Sequence, residues 1–127
     1  SHFYMKPPSG HDVHIDAGVD NNGYDSAPRP MEFLIAGLAG CTGMDVVSIL
    51  KKMRVDFEEF NLRVLTERNE DHPKKYNKIH VIYEFKGDNL PKDKLERAAK
   101  LSQEKYCGAI ASFRGSVDIT YEVKIVD

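Results

Sequence analysis

Only two cysteines occur among the 127 residues, Cys41 and Cys107, sixty-six positions apart. Such a pair makes a poor disulfide framework for a secreted mini-protein, so the fold has to rest on an apolar core. No apolar run approaches the roughly 20 residues of a membrane helix, because Glu32 and Asp45 interrupt the longest one, and no secretory signal is visible. Neither sign of charge dominates: Lys and Arg total 18 against 20 Asp and Glu, a net charge of −2. That balance gives no electrostatic reason to expect nucleic acid or an anionic membrane as partner, and the pairs Lys51-Lys52 and Lys74-Lys75 are too short to change it. The chain has no phosphate-binding loop, no serine-nucleophile motif, no internal repeat and no low-complexity tract. Its five histidines are scattered; His11 and His14 fall on opposite faces of a strand and His72 in a polar loop. A metal site needs at least three convergent ligands, so none is expected, nor is a cofactor. Any covalent chemistry therefore falls to sulfur, and two thiols kept reduced fit a cytoplasmic protein.

The length suits one domain, residues 1–127, able to bury about two-thirds of its unfolded surface. Positions 3–8 read as a short strand before the Pro7-Pro8-Ser9-Gly10 turn, and positions 11–17 alternate, with Val13, Ile15 and Ala17 on one face. Gly18 to Pro30 is rich in Asn, Asp, Gly, Ser and Pro and reads as a loop. Pro30 then suits the first turn of a helix running to Leu50, in which Glu32 and Asp45 are the only charges. A helix apolar on nearly all sides is a buried central helix. Gly37, Gly40 and Gly43 weaken it by ~1 kcal/mol each relative to alanine. Close approach of a second backbone, in this chain or another subunit, is the expected reason. Phe60 to Glu67 and Ile79 to Phe85 alternate and read as antiparallel strands joined by a polar loop. Asn89-Leu90-Pro91 opens a second helix to about Phe113, whose apolar positions fit a helical period only loosely. Val117, Ile119, Tyr121, Val123 and Ile125 form a last strand with one buried face. The class that follows is α+β, an antiparallel sheet packed on two helices.

The pattern Pro-x-Glu-x-x-x-Ala-x-x-x-x-Cys from Pro30 to Cys41, followed by a helix carrying Cys107, resembles the OsmC/Ohr family of osmotically inducible and organic hydroperoxide resistance proteins. The YhfA-like branch is most similar, through Ser9-Gly10-His11, Ala27-Pro28, Pro30-Met31-Glu32, Gly40-Cys41, Asp45 to Leu50, Leu101-Ser102 and Glu104 to Cys107. Relative to that branch the chain lacks an N-terminal strand, so Phe3 falls in what is usually the second. The resemblance implies an intertwined homodimer with central helices between sheets and a site at each end of the subunit interface. It implies a thiol-dependent peroxidase acting on small hydrophobic organic hydroperoxides. Cys41 matches the attacking position and Cys107 the resolving one, with an external dithiol as reductant. Two departures stand out. The glutamate that commonly follows the proline is replaced by Met31, with Glu32 one place later. The activating arginine of the N-terminal strands has no counterpart before Arg29.

A thiol reduces peroxide only as thiolate, and free cysteine titrates near 8.5, so activation calls for nearby positive charge or donors. Asp45, four residues after Cys41, shares its helical face, and an unpaired carboxylate there would oppose ionisation; a structural pairing is expected instead. Glu32 lies nine residues before Cys41, on the opposite side of a straight helix, and serves the site only across a break or a dimer. Its plainer role is a first-turn carboxylate favoured by the helix dipole. Arg29 has a solvated loop charge as its plainer role, Arg114 a helix-end cation, and the cysteines that of small buried hydrophobes. Phe33, Leu34, Leu38 and Met44 offer a lining for a peroxide tail, with core packing as their default. The rival reading is a non-catalytic dimer that binds a small apolar ligand.

Overall fold

The computed structural model describes residues 1–127, which divide into two compact units, Ser1–Gly37 and Leu38–Asp127. In the first, β1 (Phe3–Met5) pairs antiparallel with β2 (Val13–Ile15). The expected loop after β2 contains one 3-10 turn, Val19–Asn21, and is organised around a residue the sequence reading passed over. Buried Asp16 accepts the backbone N–H groups of Ala17, Tyr24 and Ser26 and the Ser26 hydroxyl. Led by the Ser26 hydroxyl, these donors hold the Asp16 carboxyl well below the usual carboxylate range, against the opposing effect of burial. Gly23 packs so tightly on this turn that a Cβ would sit 2.0 Å from the Ala17 carbonyl oxygen.

Helix α1 (Pro30–Lys52) runs through the boundary. Leu38, Thr42, Val46 and Leu50, spaced four apart, make one fully buried stripe, while Met44 and Val47 face outward and are exposed. The helix is therefore buried on one face, not on all sides as its composition suggests. It is also long and apolar enough, by length and composition, to cross a membrane, which corrects the expectation that Glu32 and Asp45 break the run. A core helix meets the same test; here 22% of the apolar stretch is buried, along the single stripe just described. No backbone approaches its glycines: nothing lies within 4 Å of a Cβ placed on Gly37 or Gly40, and one on Gly43 meets the Leu62 side chain at 2.8 Å.

The second unit is built on β3 (Glu59–Arg68), β4 (Tyr76–Lys86) and β5 (Asp118–Val126), in the order β3-β4-β5. β3 and β4 are antiparallel, as the alternation predicts. β5 runs parallel to β4, so the sheet is mixed where an antiparallel one was expected. A parallel neighbour requires a crossover, which the helical segment between β4 and β5 provides. Central strand β4 is the most buried, with Ile79, Val81, Ile82, Tyr83 and Phe85 in the core and Phe60 stacked on Phe85 at 4.5 Å. Edge strand β5 buries no residue fully, and Tyr121 and Ile125 stay exposed, so its alternation does not produce a buried face here. The expected second helix is broken into α2 (Lys92–Leu101), a π-helical turn (Ser102–Tyr106) and α3 (Gly108–Phe113). Cys107 stands between the last two with extended backbone (φ −76°, ψ 105°), not inside a helix.

Candidate functional site

α1 brings Cys41 and Asp45 to one face because they are four residues apart, and the end of the π-turn brings Cys107 to the same place. The two sulfurs and an Asp45 oxygen all lie within 4.8 Å of one another. Both thiols are free; Cys41 is half-buried and Cys107 buried. As N-cap of α3, Cys107 accepts the Ile110 N–H on its sulfur at 3.4 Å. Burial pushes the Cys107 thiol up to about 11; the Ile110 N–H works against this, and the bond to the Cys41 sulfur adds to it. Cys107 is thus a protonated thiol at neutral pH, with its S–H available to Cys41.

Asp45 has the structural pairing expected of it. The Ser102 hydroxyl lies 3.0 Å from Oδ2 as donor. Behind that bond is a buried chain of hydroxyls: Thr42 Oγ1 is 2.7 Å from both Ser102 Oγ and Tyr83 Oη, and Gln103 Nε2 donates to Tyr83 Oη at 2.9 Å. Burial raises the Tyr83 phenol, with its bonds to Thr42 and Gln103 opposing the shift. Arg114 donates to the Gln103 carbonyl, tying α3 back to the π-turn. The sequence reading missed Thr42, Tyr83, Ser102 and Gln103. The available signal was Thr42, a polar residue in an otherwise apolar helix, the pattern that marked out Asp45; Ser102, followed by Gln103, Glu104 and Lys105, carried no such signal.

Arg29 and Glu32 are engaged within the first unit. Arg29 pairs with Asp25 at 2.7 Å and donates to the Ala27 carbonyl, and Glu32 accepts the Arg29 backbone N–H at 2.8 Å, capping its own helix. Arg29 is thus an ion-paired side chain and not the solvated loop charge expected as its plainer role, and Glu32 stands as a first-turn carboxylate of its helix. Of the suggested apolar lining, Leu38 belongs to the core, whereas Met44 lines an open groove of about 620 Å³ together with Gly40, Gly43, Val47, Phe60 and Leu62. A second cleft of about 400 Å³ opens beside Asp45, lined by Ser48, Lys52, Arg97, Leu101 and Tyr106 among others.

A family model described as OsmC-like protein matches residues 23–122. Protein YhfA of Escherichia coli K12 is 34% identical over 124 residues, covering 98% of this chain and 90% of the relative. A hypothetical protein from Aquifex aeolicus VF5 superposes with a TM-score of 0.78 at 30% identity, over all of this chain and 97% of its own. A Legionella pneumophila structure described as an organic hydroperoxide resistance protein OsmC superposes with a TM-score of 0.64 at 16% identity, over 99% of this chain and 96% of its own; at that identity it shares the fold alone.

Proposed function

The chain belongs to the OsmC-like protein family, and on that premise we propose that it is a thiol peroxidase that reduces organic hydroperoxides through Cys41 and Cys107. The observation that carries this reading is the approach of the two sulfurs to within 4.8 Å. A disulfide has an S–S bond of about 2.05 Å, so closure calls for a relative shift of under ~3 Å. Cys41, the more accessible sulfur, attacks the hydroperoxide as thiolate. An S–O bond forms, the O–O bond breaks, and the alkoxide leaves as the alcohol once protonated. The sulfur of Cys107 then attacks the Cys41 sulfenic acid; the S–S bond forms and water departs. An external dithiol returns the pair to thiols by exchange, in a reducing compartment such as the cytoplasm. Burial keeps Cys107 as the thiol, so it does not compete for the peroxide, and its proton leaves with the departing hydroxide as water when the S–S bond forms. Arg29 and Glu32 take no step in this reading.

The same groove supports a homodimer. Met44 and Val47 are exposed on α1 over an apolar floor of Phe60 and Leu62, the kind of surface that another copy of the chain covers. The groove and Met31 at the usual glutamate position favour the second reading, a dimer that binds a small apolar ligand without turnover. Counting free thiols during titration of the reduced protein with cumene hydroperoxide separates the two. A peroxidase loses both thiols to one intrachain disulfide, and Cys41→Ser abolishes the reaction. Cys107→Ser leaves a sulfenic acid on Cys41 that dimedone traps. Thiols that stay reduced in excess peroxide would reject the peroxidase reading.

A further inference from the structure

We infer that Cys41, Asp45 and Cys107 form a binding site for a thiophilic divalent cation of the zinc class. The inference rests on the convergence of three donor atoms and not on peroxide turnover. Two donors come from α1 and the third from the extended link between the π-turn and α3, and all three lie within 4.8 Å of one another. Tetrahedral zinc with Zn–S bonds of about 2.3 Å sets its sulfurs ~3.8 Å apart. The two sulfurs therefore need to close by no more than about 1 Å. Two sulfurs and one carboxylate oxygen are a donor set that selects zinc or its soft neighbours over magnesium or calcium, and three protein ligands leave a fourth position open.

The surroundings are those of oriented ligands. The Ser102 hydroxyl donates to Asp45, and the Ile110 N–H points at the Cys107 sulfur. Ser102 is itself fixed by Thr42, and both are fully buried. Such outer partners hold metal ligands in place. The other side chains of the buried chain, Thr42, Tyr83, Ser102 and Gln103, are neutral, and the cations beside Asp45 are Lys52 and Arg97 in the cleft. The cleft that opens beside Asp45 offers an entry path. An ion bound there uses the sulfur that the proposed peroxidase reaction needs, so metal and hydroperoxide compete for Cys41.

The test is titration of the reduced full chain with cobalt(II) and then zinc, without peroxide, under a competing chelator. One ion per chain is expected, with an intense near-ultraviolet thiolate-to-cobalt band that zinc displaces. Cys41→Ser and Cys107→Ser should each lose tight binding, and Ser102→Ala should weaken it by ~10–100-fold, as loss of an outer partner does. The wild-type chain with both thiols alkylated provides the same test without a substitution and should not bind. Absence of the thiolate band in the reduced wild type, or binding that survives alkylation, overturns the site. Peroxide reduction assayed with chelator present is a separate readout, so failure of one reading does not imply failure of the other.

Discussion

Thr42 is the residue on which the site's polar chain turns. Its hydroxyl is fully buried and sits between Tyr83 and Ser102, each at 2.7 Å, and Ser102 in turn holds Asp45. Valine has nearly the same shape, so Thr42→Val removes the hydroxyl and leaves two buried partners short of a bond. A loss of about 1–3 kcal/mol is expected, read as a lower denaturant midpoint at unchanged slope. Asp16 plays a comparable part in the first unit, where pH is the lever. Its folded carboxyl lies well below the usual aspartate value of about 3.9, so in the folded state it holds its charge to lower pH than in the unfolded chain. The stabilisation is complete above that value and fades as pH falls below it, because only then does the unfolded state bind the extra proton. His2, 3.9 Å from the carboxylate, is the neighbouring titratable group. Thermal melts should show Asp16→Asn less stable than wild type near neutrality, with the gap narrowing in acid below ~4. A gap constant down to strong acid would mean that the Asp16 charge contributes nothing.

Among the elements, α1 was legible from Pro30 and its long apolar run, and β3 and β4 from their strong alternation. Pro30 opens the helix as expected, and alternation at Phe60–Glu67 and Ile79–Phe85 found β3 and β4 within a few residues. The buried stripe of α1 is where a cavity is most damaging: Leu50 is fully buried, and Leu50→Ala should cost about 2–5 kcal/mol in chemical unfolding. The segment from 92 to 113 was not legible. A π-turn inserts one extra residue per turn without any residue type that announces it, and such turns recur at functional sites. Its trace in the sequence is the loose fit of the apolar positions to a helical period. That irregularity ends α2, sets Ser102 against Asp45 and Gln103 against Tyr83, and releases Cys107 to meet Cys41. The pairing of Cys41 with Cys107 therefore came from family resemblance, since no spacing rule reaches across sixty-six residues. The parallel course of β5 was hidden for a related reason: alternation gives a strand its faces but not its direction.

At the scale of the whole molecule, the unexplained quantity is apolar surface. Met44 is 76% exposed and Val47 42%, beside a groove floored by Phe60 and Leu62, while β5 leaves Tyr121 and Ile125 in solvent. The glycines of α1 belong to the same account. Each weakens the helix by ~1 kcal/mol relative to alanine. Gly43 is accounted for by Leu62, whereas a Cβ on Gly40 would meet nothing within 4 Å in this chain. A second copy packed on this face would account for both the exposed side chains and the open glycine. A stable interface of that kind buries upward of ~1,000 Å² and does not tolerate an unpaired charge at its centre. Sedimentation should therefore find wild type as a dimer at micromolar concentration and Met44→Glu as a monomer with the same far-ultraviolet dichroism. Gly40→Ala sharpens the test. In an isolated chain it should stabilise by about 1 kcal/mol through helix propensity alone. In the dimer it should instead loosen association, and its Tm should become more dependent on protein concentration than that of wild type. A wild-type monomer in which Gly40→Ala is simply more stable would leave the groove to a small apolar ligand.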